Sequence, residues 1–549
     1  MVPDLRNPTE GLYQMDGWVP LRPGWLTQAE RDPRIACSTD PHHRELEQPA
    51  TAAQDRGEQY MSITQDQTTR QDISLDREVR EAAVSLESQS PVSSDRHTDP
   101  ALRGLAGRLR GRLATAADPD WDQARSAWNL AVDQRPVAVA FPADAGDVAQ
   151  VIGYAAEHGL RVAPQSGGHN PAPLGDLSGT ILLRTTLLKD IVVDPQAHRV
   201  RAGAGALWGE VNAALAGHGL GALSGSSPDV GIAGYTLSGG YSWLGRRHGL
   251  AVNHVLGAEV VTGDGRILEV DADTEPELFW ALRGGGGNGA VVTRLDFRVF
   301  PIDQVYAGSL LFPIDRAREV FTAFETWTRD LDEAVTACAR LLRLPPLPEL
   351  PDFLRGQSFA VVDGAILGSE ESAHQLLEPL RALGPTVDLF GVMPATQLAQ
   401  IHMDPPAPTP AAGGGVIIND MSAETIEAIL AVAGPEADTS LLAVDVRLLG
   451  GALGRPVQDG GAVDHLPGRF LVFGVGVTPN ADLHALVEAD VRSLLRGLGP
   501  WRNDRTYANF SESSEPASRF HSPEVLARLV AVQEAVDPDQ IIRANHPLR

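Results

Sequence analysis

A strand–helix–strand pattern between residues 136 and 165 ends in two glycines and a histidine. The segment PVAVAFP is rich in β-forming residues and predicts a strand. In the next segment, DAGDVAQVIGYAAEHGL, the apolar residues on one helical face are Val148, Ile152, Ala155 and Ala156. Gly159 ends this helix, and LRVAP predicts the next strand. The turn SGGHN therefore follows the carboxyl end of a strand.

The two glycines of this turn point to a binding role. Gly167 and Gly168 allow positive φ angles, so that several backbone N–H groups converge on one point. Such a nest binds a phosphate or pyrophosphate, and His169 would then lie beside the group that the phosphate carries. The tetrapeptide SGGH alone is more typical of a tight turn with an exposed histidine than of a binding loop.

Charge and cysteine usage exclude several classes of protein. The formal net charge of −26 opposes a nucleic-acid or anionic-membrane partner. The two cysteines, Cys37 and Cys338, are far apart, and no Cys/His cluster has zinc-site spacing, so we predict neither a disulfide framework nor a metal site. Without a visible signal peptide or an apolar run long enough to span a bilayer, we expect a cytoplasmic protein.

The chain divides into segments of different composition. Residues 1–98 include a long stretch rich in Gln, Ser, Thr, Asp and Glu, and we predict that they are largely disordered. LRGLAGRLRGRL then predicts a basic amphipathic helix, and VVTGDGRILEVD a hairpin with Asp-Gly at its turn. Residues 303–498 mix strands with amphipathic helices, which indicates an antiparallel sheet covered by helices on one face. The fold class we predict is α+β.

An ordered series of motifs gives the chain a family resemblance. The series is PQSGGHN, VRAGAGALWGEV, GSSPDVGIAGYTLSGGYSWLGRRHGL, VVTGDGRILEV, LFWALRGGGGNGAVVT, YANF and DPDQIIRANHPL. Residues 132–302 resemble the FAD-binding domain of the vanillyl-alcohol-oxidase/p-cresol-methylhydroxylase (PCMH-type) superfamily, and berberine-bridge-enzyme-like oxidases match best. The resemblance implies two β-α subdomains that hold FAD and an antiparallel sheet over the flavin ring. It divides the chain into an FAD-binding domain (99–302), a substrate domain (303–498) and a C-terminal segment that returns to the first domain (499–549).

The resemblance also assigns residues to the cofactor. It implies that His169 is bonded to the 8α-methyl carbon of the flavin, which pins the ring and raises its reduction potential. It implies that the small side chain of Val230 leaves room for oxygen beside the flavin. The cofactor-binding residues that follow are Gln165, Ser166, Gly167, Gly168, His169, Asn170, Ser227, Val230, Gly231, Gly234, Tyr235, Gly239, Gly240, Val291 and Asn509.

Several positions depart from the family pattern. Many berberine-bridge-like oxidases attach FAD a second time through a cysteine that here is Ser227, so we predict one covalent bond only. Gln165 stands where the family usually has arginine, and GNGA replaces GNFG. The family's YxNY motif is YANF here, and Phe510 cannot accept a proton as the second tyrosine does.

Because the family tyrosine is missing, another residue must act as the catalytic base, or the reaction must need none. Tyr507 remains a candidate contact near the flavin, and Asp445 and Arg447 alternate on one strand of the substrate domain. A solvated strand face explains the alternation of Asp445 and Arg447 equally well. An amine substrate would need no protein base, because its nitrogen lone pair drives the loss of hydride.

These observations predict an FAD-dependent oxidase that takes a hydride from an alcohol or amine carbon of a small molecule and passes electrons to oxygen, with release of peroxide. The alternatives are a flavin dehydrogenase with another acceptor and a non-catalytic flavin-binding protein. A nicotinamide-binding reading of VRAGAGALWG fails because the third glycine is misplaced by one residue.

Overall fold

The structure, a computed structural model, describes residues 100–348, 352, 354–405 and 407–549. The extension predicted to be disordered, residues 1–98, lies outside the described residues, and so does Cys37. In the described part, no helix is both long and apolar enough to cross a lipid bilayer. Mixed helices and three β-sheets confirm the predicted α+β class.

The first sheet forms near the start of the described chain. Its strands and helices are α1 (Pro100–Ala106), β1 (Arg112–Ala114), α2 (Trp121–Arg125), β2 (Ala138–Phe141), α3 (Ala145–Glu157), β3 (Arg161–Gln165) and β4 (Thr180–Arg184). The order is β1-β2-β4-β3, with β2, β4 and β3 parallel and β1 antiparallel to β2. Helix α3 packs Val148, Ile152 and Ala155 against the strands, as the sequence predicts.

The second sheet is antiparallel and has five strands in the order β5-β6-β9-β7-β8. The elements of this region are β5 (Ile191–Asp194), β6 (Arg199–Gly203), α4 (Trp208–Leu215), α5 (Ile232–Leu237), α6 (Gly245–His248), β7 (Val255–Thr262), β8 (Ile267–Asp271), α7 (Pro276–Leu282) and β9 (Ala290–Arg298). The predicted hairpin is confirmed as β7 and β8, with Gly265 at φ +84° in the turn.

The third sheet, called the large sheet below, has eight antiparallel strands in the order β13-β10-β12-β11-β16-β17-β15, with β14 also paired to β10. Its elements are β10 (Gln304–Pro313), α8 (Ala317–Trp327), β11 (Val335–Arg343), β12 (Ser358–Ile366), α9 (Glu370–Arg381), β13 (Val387–Asp388), β14 (Gly391–Pro394), β15 (Ala411–Ile418), α10 (Ala423–Ala433), β16 (Ala443–Leu448), β17 (Phe470–Val477) and α11 (Ala481–Gly497). Helices α8 to α11 cover one face of this sheet, as predicted.

Alternation along the strands gives the large sheet two different faces. On β11, Ala339 and Leu341 pack into the core under the helices. Cys338, which directly precedes Ala339, lies on the opposite face in a cluster with Leu223 and Trp243. Because side chains alternate along a strand, Arg340 shares the face of Cys338. This second face is called the inner face below. It is covered by residues between β6 and β7, such as Leu223 and Trp243, and by the segment that follows β14, and it positions the candidate site.

The C-terminal segment contacts the first two sheets. Helix α12 (Pro523–Val536) joins the core of the second sheet through Leu529, Val532 and Val536. Beyond it, Ile542 forms a parallel bridge with Val162 of β3. The predicted domain boundaries at 302/303 and 498/499 fall between elements, and they stay predictions.

The structure corrects three local predictions. The segment LRGLAGRLRGRL is helical only in α1 and then forms β1, because Gly111 lets the chain approach β2 so closely that a Cβ there would lie 1.9 Å from the Phe141 carbonyl oxygen. Ala156 is exposed, and Val151 and Tyr154 are buried in its place, since the buried stripe lies further round the helix. Strands β11 and β15 were not predicted at all.

A buried carboxylate fastens the start of α3 to the chain before β1. Asp147 is 2% exposed, and its two oxygens accept backbone N–H groups from Arg110 (2.9 Å), Gly111 (2.8 Å) and Ala143 (2.9 Å). Burial alone would raise the pKa of Asp147, but the three backbone donors hold it below its ordinary value.

We expect Asp147→Asn to lower the free energy of unfolding by about 2 kcal/mol at neutral pH, because the amide cannot accept all three N–H groups. Since the folded pKa lies below the unfolded value, this stabilisation is present above pH ~4 and is lost as the pH falls through the folded pKa. Urea denaturation at pH 7 and pH 3 tests both points. Asp122→Asn, on the exposed face of α2, is the control, and an equal loss in both variants would contradict the prediction.

Candidate functional site

Backbone hydrogen bonds fix the conformation of the glycine–histidine turn. The carbonyl oxygens of Gly167 and Gly168 accept hydrogen bonds from the backbone N–H groups of Trp128 (3.0 Å) and Asn129 (3.1 Å). Gly168 has a φ of +83°, and a Cβ there would lie 2.6 Å from the Gln165 side-chain nitrogen. Gln165 is buried and exchanges two hydrogen bonds with Gln134, at 2.9 and 3.1 Å. The turn therefore needs glycine both for its conformation and for space.

His169 lies at the edge of this turn against an aromatic ring and a carboxylate. Its imidazole stacks on Trp128, with ring centroids 4.0 Å apart and planes 16° apart. Its Nε2 lies 3.2 Å from the backbone oxygen of Asp229 and 3.4 Å from the carboxylate Oδ1. Asp229 also accepts hydrogen bonds from Ser227 Oγ (2.8 Å) and from the Trp128 indole N–H. Burial would raise the pKa of Asp229, but His169 and these donors lower it.

The segment from Ser227 to Gly240 approaches the turn through glycines. A Cβ on Gly231 would lie 2.3 Å from Ser166 Oγ, so only glycine fits between the segment and the turn. Gly239 has a φ of +131°, and a Cβ there would lie 2.8 Å from the ring of Tyr507. Gly240 has a φ of +83°, and a Cβ there would lie 2.6 Å from the Cβ of Ala251. A Cβ on Gly234, in contrast, would meet no atom within 4 Å. The predicted glycines thus allow the turn, the segment Ser227–Gly240 and the C-terminal segment to approach one another closely.

Two asparagines connect the C-terminal segment to the other two segments. Asn170 donates to the backbone oxygen of Ser511 (2.8 Å), and Asn509 donates to the backbone oxygen of Tyr235 (3.0 Å). The Tyr235 hydroxyl donates in turn to backbone oxygens of residues 223 and 241, at 2.9 and 2.7 Å. The segments 165–170, 227–240 and 509–511 therefore form one continuous set of contacts, which includes most of the predicted cofactor residues. Two lie partly apart from it: Val230 packs on the second sheet, and Val291 packs in the core with α3.

The inner face of the large sheet carries two buried ion pairs. Arg340 Nε lies 2.6 Å from Asp363 Oδ2, and Arg447 donates to Asp445 at 2.7 Å. All four residues are at most 5% exposed. The solvated strand face considered for Asp445 and Arg447 is therefore wrong, because neighbouring chain covers this side of the sheet.

His402 completes the cluster and was not found by sequence reasoning. Its Nε2 lies 3.4 Å from Asp363 Oδ2, its Nδ1 lies 3.4 Å from Arg447, and its ring meets Trp243 edge-on. Burial and the two nearby guanidinium groups hold the pKa of His402 well below its ordinary value, so the imidazole is neutral. Cys338, Asp363 and His402 have ligand atoms within 4.8 Å of one another, but the guanidinium charges beside them oppose a divalent cation.

Phe510, at the position of the family tyrosine, packs against this charged cluster. The Arg447 guanidinium lies 4.9 Å from the centre of its ring, and Phe473 meets the ring edge-on at 5.1 Å. The Tyr507 ring stacks on the Phe510 ring with centroids 5.8 Å apart, and Tyr507 is 2% exposed. Burial raises the pKa of Tyr507 far above its ordinary value, although backbone groups at Gly240 and Tyr241 oppose the shift. The phenol is therefore neutral and unsuited to accept a proton near neutral pH.

Two acids near the cluster lack a salt-bridge partner among the described residues, and sequence reasoning missed both. Burial raises the pKa of Asp404 to about 6, against the lowering influence of Arg340. Burial likewise raises the pKa of Glu512 to about 7, opposed by a backbone hydrogen bond at Gly413. A Cβ on Gly413 would lie 3.2 Å from Glu512 Oε1 and 2.8 Å from the Phe473 ring, so Glu512 lies beside that ring. Its position two residues after Phe510 was the available signal.

Comparison with known proteins agrees with this arrangement. Residues 136–271 match the family of FAD binding domains. The chain is 27% identical over 460 residues to (R)-6-hydroxynicotine oxidase of Paenarthrobacter nicotinovorans, covering 80% of this chain and 96% of that protein. It is 31% identical over 225 residues to xylooligosaccharide oxidase of Thermothelomyces thermophilus, covering 40% of this chain and 44% of that protein.

Solved structures share the fold. The structure of 6-hydroxy-D-nicotine oxidase from Arthrobacter nicotinovorans aligns with a TM-score of 0.70 at 24% identity, covering 80% of this chain and 98% of that one. The BBE-like 1 protein of Physcomitrella patens aligns with a TM-score of 0.71 at 20% identity, covering 82% and 99%. The chain is an FAD-linked oxidoreductase that shares its fold with the berberine-bridge-like protein.

The residues of this oxidoreductase fit FAD. Ser166 Oγ, Asn170 Oδ1 and Asn509 Oδ1 are buried and have no hydrogen-bond partner among the described residues. Buried polar atoms without partners are costly, about 1–3 kcal/mol each, and these three lie on the turn and on the C-terminal segment that contacts it. A ligand with polar groups along its length satisfies them, as the resemblance to FAD-binding proteins implies.

Proposed function

We propose that this oxidoreductase is an oxidase that carries FAD through a single covalent bond at His169 and passes electrons to molecular oxygen with release of hydrogen peroxide. The chemistry that bound FAD supplies is the acceptance of a hydride from the substrate and the reduction of oxygen. The relative from Paenarthrobacter nicotinovorans, of which the chain covers 96%, is named an oxidase.

A single covalent bond follows from the chemistry of the two candidate positions. Ser227 donates its hydroxyl to Asp229, and an alcohol lacks the nucleophilicity of a thiolate. Cys338, the one cysteine among the described residues, is fully buried on the inner face of the large sheet, where burial raises its pKa well above the ordinary value. We therefore place the bond at His169 and none at Ser227.

The substrate that the site suits best is an amine. The observation that carries this proposal is the charge of the inner face, where two arginines balance two aspartates and leave Asp404 and Glu512 uncompensated. A protonated amine would balance this negative charge, and Phe510 and Phe473 offer it an aromatic wall. Glu512 would take the ammonium proton, since Phe510 cannot and Tyr507 is held neutral.

A substrate panel tests the class. We expect peroxide release with small secondary or tertiary cyclic amines at rates at least about tenfold above those with oligosaccharides, because the uncompensated acids favour a cationic substrate. The measurement is a peroxidase-coupled assay under air. Turnover of oligosaccharides alone would contradict the amine proposal. Turnover only with an artificial electron acceptor would indicate a dehydrogenase, and turnover of nothing in a wide panel would favour a flavin-binding protein.

The pH dependence tests the role of Glu512. If its ionised form accepts the proton, kcat/KM falls as the pH drops through about 7, because the carboxylate becomes protonated. Glu512→Gln is expected to lower kcat/KM at pH 8 by about a hundredfold and to remove this acid limb. Glu378→Gln, on the exposed side of α9, is the matched control. An acid limb that persists unchanged in Glu512→Gln would exclude this role.

A further inference from the structure

We propose that Asp229 is a positioning residue that prepares His169 for its covalent bond, by fixing the imidazole tautomer so that Nδ1 is the reacting nitrogen. This inference rests on the covalent attachment proposed above. It goes beyond that attachment by naming the nitrogen and the residue that directs it.

The tautomer follows from what faces Nε2. The two atoms near it are the backbone oxygen of Asp229 at 3.2 Å and the carboxylate Oδ1 at 3.4 Å. A carbonyl oxygen and an ionised carboxylate only accept hydrogen bonds, so the Nε2 of a neutral imidazole must carry the proton. Nδ1, which has no hydrogen-bond partner among the described residues, then keeps its lone pair for bond formation.

Asp229 is itself held in place. Ser227 Oγ donates to its Oδ1 at 2.8 Å, and the Trp128 indole N–H donates to its Oδ2. Trp128 also stacks on the imidazole, so one side chain fixes both the carboxylate and the ring that it faces. His169 and Asp229 are 23% and 19% exposed at their side chains, and so both are mostly removed from solvent.

The charge of Asp229 suits the bond-forming step. Among the described residues its only ion-pair partner is His169, so the carboxylate is placed to stabilise the positive charge that alkylation gives the imidazole. In hydrolase triads a buried aspartate likewise orients the histidine and stabilises its positive charge.

In the attachment step the Nδ1–C8α bond would form as one C–H bond of the flavin 8α-methyl group breaks, and the proton of that bond would pass to solvent while its electron pair stays with the flavin. The imidazole becomes positively charged on alkylation and is neutralised by loss of the Nε2 proton toward Asp229 and then to solvent. Two electrons remain on the flavin, and molecular oxygen takes them up to give hydrogen peroxide.

Covalent incorporation in the full-length protein tests the inference. The measurement is the fraction of flavin that stays with the protein after acid precipitation, followed over time in the presence of FAD. Asp229→Asn is expected to slow incorporation about tenfold or more while non-covalent FAD binding persists. Asp229→Glu, which restores the carboxylate, is expected to recover part of the rate. Asp273→Asn, at an exposed aspartate just after β8, is the matched control and is expected to leave the rate unchanged.

An independent readout is the linkage itself. The histidyl-flavin released by proteolysis is expected to be bonded through Nδ1 when its NMR spectrum is compared with the two isomers, and a bond through Nε2 would overturn the inference. Incorporation in Asp229→Asn at the parent rate would also overturn it. If Asp229→Asn does not fold, Trp128→Phe keeps a stacked ring but removes the donor to Asp229, and an unchanged rate in that variant counts against the inference.

The two proposals fail in different ways. If the parent protein releases all its flavin in acid, covalent attachment fails and the role of Asp229 fails with it. If the parent keeps its flavin at His169 and Asp229→Asn does so equally fast, only the role of Asp229 fails.

Discussion

Replacement of His169 by alanine is expected to make the flavin fully extractable. The parent protein should stay yellow in an acid-precipitated pellet, whereas His169→Ala should leave all colour in the supernatant. FAD should still bind to the folded variant, because the glycine turn and the buried oxygens around it do not depend on the imidazole. Turnover should fall about tenfold or more, since the electron-withdrawing imidazole no longer raises the reduction potential of the ring.

The control for this experiment is His218→Ala, an exposed histidine after α4. It should behave as the parent does in the acid pellet and in the activity assay. Colour retained in the His169→Ala pellet would point to another attachment residue and contradict the assignment.

Removal of one partner from a buried ion pair should have the largest effect on stability. Arg447 and Asp445 are each 5% exposed, and their donor–acceptor distance is 2.7 Å. Arg447→Met leaves the Asp445 carboxylate buried without its cation, and we expect the free energy of unfolding to fall by about 3–5 kcal/mol. His402 and Phe510 also lose the guanidinium that contacts them. Urea denaturation followed by circular dichroism measures the change.

The double variant Asp445→Leu with Arg447→Met separates charge from packing. Replacement of both ions by apolar side chains should recover most of the lost stability, because no uncompensated charge remains. A loss below about 1 kcal/mol in Arg447→Met would show that the pair is hydrated, contrary to its burial here. A double variant as unstable as the single one would place the effect in packing instead.

Local patterns predict the parts of the fold that local interactions determine. The strand–helix–strand unit and the Asp-Gly hairpin were predictable because apolar periodicity and turn residues lie close together in the sequence. Strand β15 was not, since its glycines at 413–415 have low β propensity. Those glycines are needed because side chains of Phe473, Val491 and Phe510 occupy the space beside them, and such contacts are distant in sequence.

The candidate site likewise contains residues that the sequence predicts and residues that it does not. The turn with His169 was predictable, because consecutive glycines beside a histidine follow a recognisable strand. The alternation of Asp445 and Arg447 was visible, but their burial was not, because it depends on the segment near Trp243 and on the loop that carries His402. Asp404 and Glu512 lie in irregular segments without periodicity, so no periodic pattern marks their burial, and the one available signal was the position of Glu512 two residues after Phe510.

Mass spectrometry of peptides from the parent protein tests the central proposal most directly. We expect one flavin-modified peptide, which contains His169, and an unmodified peptide that contains Ser227. Flavin on the Ser227 peptide would contradict the single bond, and a protein that purifies without flavin and does not take up FAD would contradict the covalent-flavin site altogether.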